Sequence, residues 1–119
     1  MMCAGAVVLL VGMLAGIAMG IQQDFALALA PAHAHLNLIG GVLLFLFGLY
    51  YRLVPAAGAT TLAKVQGWLH IAGAILFPAG VAIVILKGAS FIAAPIAGSL
   101  IVVAAMALFA VIVFRSARA

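Results

Sequence analysis

Charged residues are what this sequence has least of. They make up 5% of the chain, and Asp24 is the only acidic residue. A soluble domain carries about 25% charged residues, so the composition excludes an ordinary soluble domain. A single carboxylate also excludes paired-carboxylate catalysis and a di-iron carboxylate site within one chain.

Cysteine and the common catalytic motifs are also scarce. Cys3 is the only cysteine, which excludes an intrachain disulfide and a cysteine-rich metal site. The sequence contains no G-x-S-x-G, no H-E-x-x-H and no phosphate-binding loop. No catalytic residue follows from motifs of this kind, so whether the protein is an enzyme stays open.

Apolar residues make up the rest, at 71% of the chain with a mean hydropathy of +1.52. Four apolar stretches reach or approach the roughly 20 residues needed to cross a bilayer. They cover residues 5–22, 31–53, 62–86 and 91–114, and residues 26–30 could extend the second. We therefore predict an all-α fold, a four-helix transmembrane bundle forming a single transmembrane domain over residues 1–119 in the lipid bilayer. Short connections predict antiparallel neighbours.

The first apolar stretch has one feature of a cleaved signal peptide. Ala28-Leu29-Ala30 would suit a small-residue cleavage site. However, no Lys or Arg precedes the apolar run, and the run is long for a signal peptide. We therefore expect this stretch to be a membrane-spanning helix.

The cations predict the orientation in the membrane. Arg52 and Lys64 flank the second connection, Arg115 and Arg118 follow the fourth stretch, and Lys87 alone lies in the third connection. Cytoplasmic loops carry an excess of Lys and Arg, so we expect both termini to be cytoplasmic. Anionic headgroups and topology account for the net charge of +4, and we expect no nucleic-acid partner.

Two histidines and an asparagine cluster near the start of the second stretch. Ionisable groups inside spanning segments are costly and are functional candidates by default. A helix advances about 100° per residue, so His33 and His35 project roughly 200° apart and cannot easily chelate one metal together. His33 and Asn37 share a face. The histidines either bind a metal at two different sites or form an interfacial pair wetted by headgroup water.

His70 is the third histidine, on the predicted third helix. Gln66 lies one turn before it, and Gly73 and Ala74 lie one turn after it on the same face, which predicts a polar spot beside a hollow. His70 is either a ligand or a histidine hydrogen-bonded across a helix interface. Along straight helices it lies roughly 12 Å into the membrane and His35 roughly 25 Å, so a shared site is the weaker option.

Glycines suggest where helices approach closely. The first helix carries Gly12-x3-Gly16-x3-Gly20, a repeated small-residue motif. Gly40 and Gly41 lie on or near the His33–Asn37 face. They either permit close helix packing or provide the surface without side chains that a flat macrocycle needs beside its ligand.

The pair His33-Ala34-His35, followed by Gly40-Gly41, resembles a helix of subunit I of haem-copper oxidases and nitric oxide reductases. In that family twelve helices form three arcs of four, and one second helix carries an H-x-H pair whose histidines serve different haems. Residues 68–73 resemble more loosely the helix that supplies copper ligands, although His70 has no adjacent histidine. The whole chain would correspond to one arc.

The resemblance implies that haem b, an iron cofactor, is bound, with copper as the second candidate. It implies a cofactor site of His33, His35 and His70 as metal ligands, with Asn37 orienting His33 or a propionate. Gly40 and Gly41 would complete that site by making room for the macrocycle.

We therefore expect an integral protein of a bacterial or archaeal inner membrane that transfers electrons or binds a diatomic gas. Three copies would rebuild a twelve-helix ring, so we expect a homo-oligomer, with a trimer favoured. In that ring His33 of one subunit faces a haem shared with His35 of the next. A redox partner or a quinol would exchange electrons with it. The alternatives are a copper-ion carrier or metallochaperone, and a non-catalytic assembly partner of a respiratory complex.

Overall fold

The computed structural model describes residues 1–118, and these residues form helices and turns without any strand. Four helices in this range are long and apolar enough to cross a membrane. They are Met2–Ile21, Gln23–Leu53, Thr61–Lys87 and Ala89–Ser116, and we call them the first to fourth spans. The prediction of an all-helical protein with four helices long and apolar enough to cross a membrane is confirmed.

The first span is a single helix, α1, Met2–Ile21. The second span has three segments, of which the first is α2, Gln23–His35. A π-helical segment, Leu36–Leu43, leads into α3, Leu44–Leu53.

The second span begins at Gln23 rather than at the predicted Pro31. The prediction allowed an extension over residues 26–30, but the helix also includes residues 23–25. In the structure Pro31 instead lies inside α2, while Asp24 occupies the first turn of the helix. An acidic side chain there interacts favourably with the helix dipole.

Short segments connect the remaining spans. Helix α4, Pro55–Gly58, leads to α5, Thr61–Lys87, whose first turn is capped by the Thr60 hydroxyl accepting from the Ala63 N–H at 3.1 Å. Gly88 ends α5 with a φ of 99°, a conformation that favours glycine. The 3₁₀ turn Ala89–Phe91 then leads into α6, Ala93–Ser116.

Helices α5 and α6 form the most extensive interface of the described chain. Glycines allow their backbones to approach. A Cβ at Gly80 would lie 2.5 Å from the backbone nitrogen of Pro95, and one at Gly98 would lie 2.6 Å from Cα of Phe77. Close approach through small residues is how helices pack in a bilayer, where the hydrophobic effect does not draw them together.

Each span packs mainly against its neighbours in the chain. Helix α1 packs on the π-helical segment and α3, α2 packs on α5, and α5 packs on α6. The Cα positions extend over 51 × 29 × 16 Å, so the array is long and rather flat. The outer face of α1 carries large exposed apolar side chains, including Val7, Met13, Leu14 and Ile17. This surface is suited to contact with the lipid bilayer.

Candidate functional site

His33 and Asn37 form a polar pair at the junction of α2 and the π-helical segment. The Asn37 side-chain amide donates to the backbone carbonyl of His33 at 3.0 Å, and its Nδ2 lies 3.1 Å from His33 Nε2. The same Nδ2 lies 3.4 Å from His33 Nδ1, so the amide faces both ring nitrogens. Asn37 thus holds the imidazole in place.

The glycines of α1 make room for this pair. Gly12 lies directly against the Asn37 amide, and a Cβ at Gly16 would lie 3.2 Å from His33 Cε1. A Cβ at Gly20 would meet no atom within 4 Å. Gly12 and Gly16 of the predicted motif therefore allow α1 to pack against the polar pair, and Gly20 does not take part in this packing.

A groove of about 310 Å³ opens beside His33, between α1, α2 and α5. His33 is the only titratable side chain in its wall. The other lining residues are apolar: Ala15, Met19, Leu29, Ala32, Leu36, Ile75, Pro78, Ala79 and Ala82. His33 is thus a side chain that could bind a metal, placed among apolar walls.

His35 lies on the other side of α2. Its Nδ1 donates to the carbonyl of Pro31 at 2.6 Å, and its ring meets Phe77 of α5 edge-on, with 4.6 Å between centroids. A carbonyl can only accept, so Nδ1 carries the proton and Nε2 keeps its lone pair. Metal-binding histidines typically have this arrangement, in which a hydrogen bond at one nitrogen sets the tautomer and orients the ring.

The structure therefore confirms that His33 and His35 project to different sides of one helix. His33 faces Gly16 of α1, whereas His35 faces Phe77 of α5. The two imidazoles cannot serve one iron atom within a single chain.

His70 is completely buried and bridges two spans. Its Nε2 donates to the carbonyl of Ile39 at 2.9 Å, and its ring packs edge-on against Phe47 with 4.7 Å between centroids. Its Nδ1 has no hydrogen-bond partner among the described residues. Of the two interpretations of His70, this environment favours the histidine hydrogen-bonded across a helix interface.

The polar spot predicted around His70 exists, but the hollow beside it is filled. Gln66 is also completely buried and accepts from the Tyr51 hydroxyl at 3.0 Å. Gly73 faces α6, where a Cβ would lie 2.8 Å from Cγ2 of Val102. No space for a cofactor is left at this glycine.

Gly40 and Gly41 are both buried beneath α1. A Cβ at Gly40 would lie 3.0 Å from Cγ1 of Val8, and one at Gly41 would lie 2.5 Å from Cδ2 of Leu9. These contacts favour close helix packing over a surface kept free for a macrocycle.

Sequence reasoning missed two features of this region. The first is the π-helical backbone of Leu36–Leu43, which contains the carbonyl that accepts from His70. The π-helical turns interrupt the regular i→i−4 ladder and occur often at functional sites. The second is the hydrogen bond between Tyr51 and Gln66. Gln66 inside an apolar run was the available signal, since a buried amide needs a partner.

The three histidines occupy three separate environments. Within residues 1–118, no three His, Cys, Asp or Glu side chains lie close enough together to hold one metal ion. A cofactor held by a single axial imidazole, or shared between chains, is the arrangement that these residues fit.

Comparisons of the chain with family models, with curated proteins and with solved structures give no match.

Proposed function

We propose that this protein is an integral membrane haem protein that transfers electrons, with His35 as an axial ligand of haem b. The observation that carries the proposal is the hydrogen bond from His35 Nδ1 to the Pro31 carbonyl, which leaves the Nε2 lone pair available to iron. When bound, haem supplies one-electron redox chemistry.

His33 is the second ligand in this proposal. It lines the apolar groove, and the Asn37 amide would have to move away from the ring before a ring nitrogen of His33 could bind iron. Because His33 and His35 lie on different sides of α2, a haem with two histidine ligands needs a second copy of the chain. We propose a homotrimer, in which His33 of one subunit and His35 of the next share a haem.

The proposed pair of histidine ligands favours one of the two expected activities, electron transfer or binding of a diatomic gas. Two axial imidazoles fill the coordination sphere of haem iron and leave no position for a diatomic gas. We therefore favour electron transfer over gas binding. A redox protein or a quinol in the membrane would exchange the electrons.

His70, Gly40 and Gly41 take structural roles in this proposal. His70 is hydrogen-bonded within the protein, and the two glycines pack against Val8 and Leu9.

The orientation and location belong to the proposal as well. The end of the protein formed by α4 and the last turn of α6 carries Arg52, Lys64, Arg115 and Arg118. From the positive-inside rule we propose that this end and both termini are cytoplasmic. We propose a bacterial or archaeal inner membrane as the location. A cysteine at position 23, in a Cys3→Ser background, should react with an impermeant thiol reagent from outside. Labelling only after permeabilisation would contradict this.

The test of haem binding is the visible spectrum of protein purified from haem-replete cells, oxidised and reduced. We expect a haem b spectrum, and loss of at least about 90% of the haem per chain in His35→Ala, because the loss of a ligand removes the main bond to iron. Leu38→Ala is the matched control, since Leu38 is exposed on the same span.

Three outcomes would count against haem binding. A colourless wild-type preparation would exclude it, and unchanged haem content in His35→Ala would exclude the assigned ligand. Stoichiometric copper in a colourless preparation would favour the copper carrier instead.

A further inference from the structure

A second pocket lies at the opposite end of the spans from Asp24. Its volume is about 300 Å³, and it is enclosed by the end of α3, helix α4, the start of α5 and the last turns of α6. Its walls are mainly apolar, formed by Val54, Ala56, Ala57, Leu62 and Ile112. We call it the Arg115 pocket, because Arg115 is the only charged residue that lines it.

The hydroxyl groups that line this pocket are already hydrogen-bonded within the protein. The Thr60 hydroxyl donates to the Ala57 carbonyl at 2.8 Å and accepts from the Ala63 N–H. The Ser116 hydroxyl donates to the Val113 carbonyl at 2.9 Å. The guanidinium of Arg115 is therefore the polar group that remains for a ligand.

No acidic side chain among residues 1–118 lies near Arg115. Asp24 is the only acidic side chain in the sequence, and it lies in the first turn of α2, whereas the pocket lies past the far end of that span. Arg52, Lys64 and Arg118 raise the positive charge at the same end. Such a site attracts an anion.

We propose that the Arg115 pocket binds one anionic phospholipid, with the phosphate against Arg115 and the upper part of an acyl chain along the apolar wall. Basic pockets between spans near the membrane surface commonly bind anionic headgroups. Free phosphate would leave the apolar wall uncovered. The phosphate of a zwitterionic lipid could also reach Arg115, but its choline ammonium would cancel the net charge. That ammonium would also lie near Arg52, Lys64 and Arg118. This site is separate from the histidines of the second span, so the proposal does not depend on haem binding.

The test measures lipid binding to the intact protein in detergent by native mass spectrometry. The probes are phosphatidylglycerol, phosphatidylcholine with matched acyl chains, and inorganic phosphate. We expect one phosphatidylglycerol per chain, bound in preference to phosphatidylcholine. Arg115→Gln should weaken it about fivefold, the effect typical of one cation near anionic lipid. Arg118→Gln is the matched control, because Arg118 is close in sequence but does not line the pocket.

A second variant tests the apolar wall with the charge intact. Ala56→Phe would fill part of the pocket, so we expect it to weaken phosphatidylglycerol binding while Arg115 remains. Equal losses in Arg115→Gln and Arg118→Gln would overturn the proposal in favour of diffuse surface attraction. Displacement of the lipid by millimolar inorganic phosphate, or equal binding of phosphatidylcholine, would also overturn it.

Discussion

At the scale of single residues, the hydrogen-bond partner distinguishes three side chains of the same type. His35 donates from Nδ1 to a carbonyl of its own helix, His33 accepts from Asn37, and His70 donates from Nε2 to a carbonyl of another span. Both His35 and His70 keep one ring nitrogen without a partner among the described residues, but His70 is completely buried and joins two spans. Burial and the bond between spans therefore favour a structural role for His70, and His35 stays the ligand candidate.

His70→Ala tests this distinction. We expect the free energy of unfolding to fall by about 2–4 kcal/mol, because the variant leaves a cavity beside Phe47. Loss of the hydrogen bond to Ile39 adds roughly 0.6 kcal/mol. Haem per folded chain should stay unchanged. Unfolding by SDS titration in mixed micelles and the visible spectrum provide the two readings.

Leu86→Ala is the control for His70→Ala, since Leu86 lies on the same helix, is 57% exposed and does not line the groove beside His33. It should change stability far less. Loss of haem from well-folded His70→Ala protein would show that His70 is a ligand after all.

At the scale of helices, glycine positions decide how α1 joins the rest of the protein. Gly5 faces the backbone of Phe45, Gly12 faces Asn37 and Gly16 faces His33, all on the second span. Helix α1 otherwise presents large apolar side chains to its surroundings. The packing of α1 on the second span therefore depends on close approach of the two backbones at these glycines. The polar pair of His33 and Asn37 lies beneath this contact.

Gly12→Leu should disturb both the attachment of α1 and the polar pair. Overpacking typically costs about 1–3 kcal/mol, and here the added side chain would collide with Asn37. Gly20→Leu should be nearly neutral, because no atom lies within 4 Å of a Cβ there. Thermal denaturation in detergent compares the two. Equal destabilisation by both substitutions would show that the Gly12 contact does not control the packing.

At the scale of the whole molecule, the two candidate ligands face different helices of the same chain. His33 lies beneath α1 and His35 lies against α5, and no three potential ligand side chains converge within the described residues. Under the proposed function, a haem with two histidine ligands would form between subunits, and assembly would then be a condition for cofactor binding.

Co-expression of two inactive variants tests assembly directly. His33→Ala and His35→Ala chains with different tags should each bind little haem alone. A mixed trimer contains one interface with both intact histidines, so tandem-purified mixtures should recover about one third of the wild-type haem. Size measurement in detergent must show a trimer. A monomer that retains full haem would contradict shared ligation.

Much of the fold followed from local chemistry. Long apolar runs predict the spans because an unpaired backbone in lipid is too costly, and the helical repeat predicts that His33 and His35 diverge. The start at Gln23 was not predicted, because Pro31 is compatible with both the first turn and the interior of a spanning helix.

The sequence by itself determined the membrane class, the spans and the opposed directions of the two histidines, since these depend on composition and on periodicity along one helix. Only the tertiary structure decided that His35 packs on Phe77, which carbonyl accepts from His70, and that Gly40 and Gly41 lie beneath α1. Contacts between spans depend on how separate helices pack against one another. The periodicity of residues along a single helix carries no information about that packing.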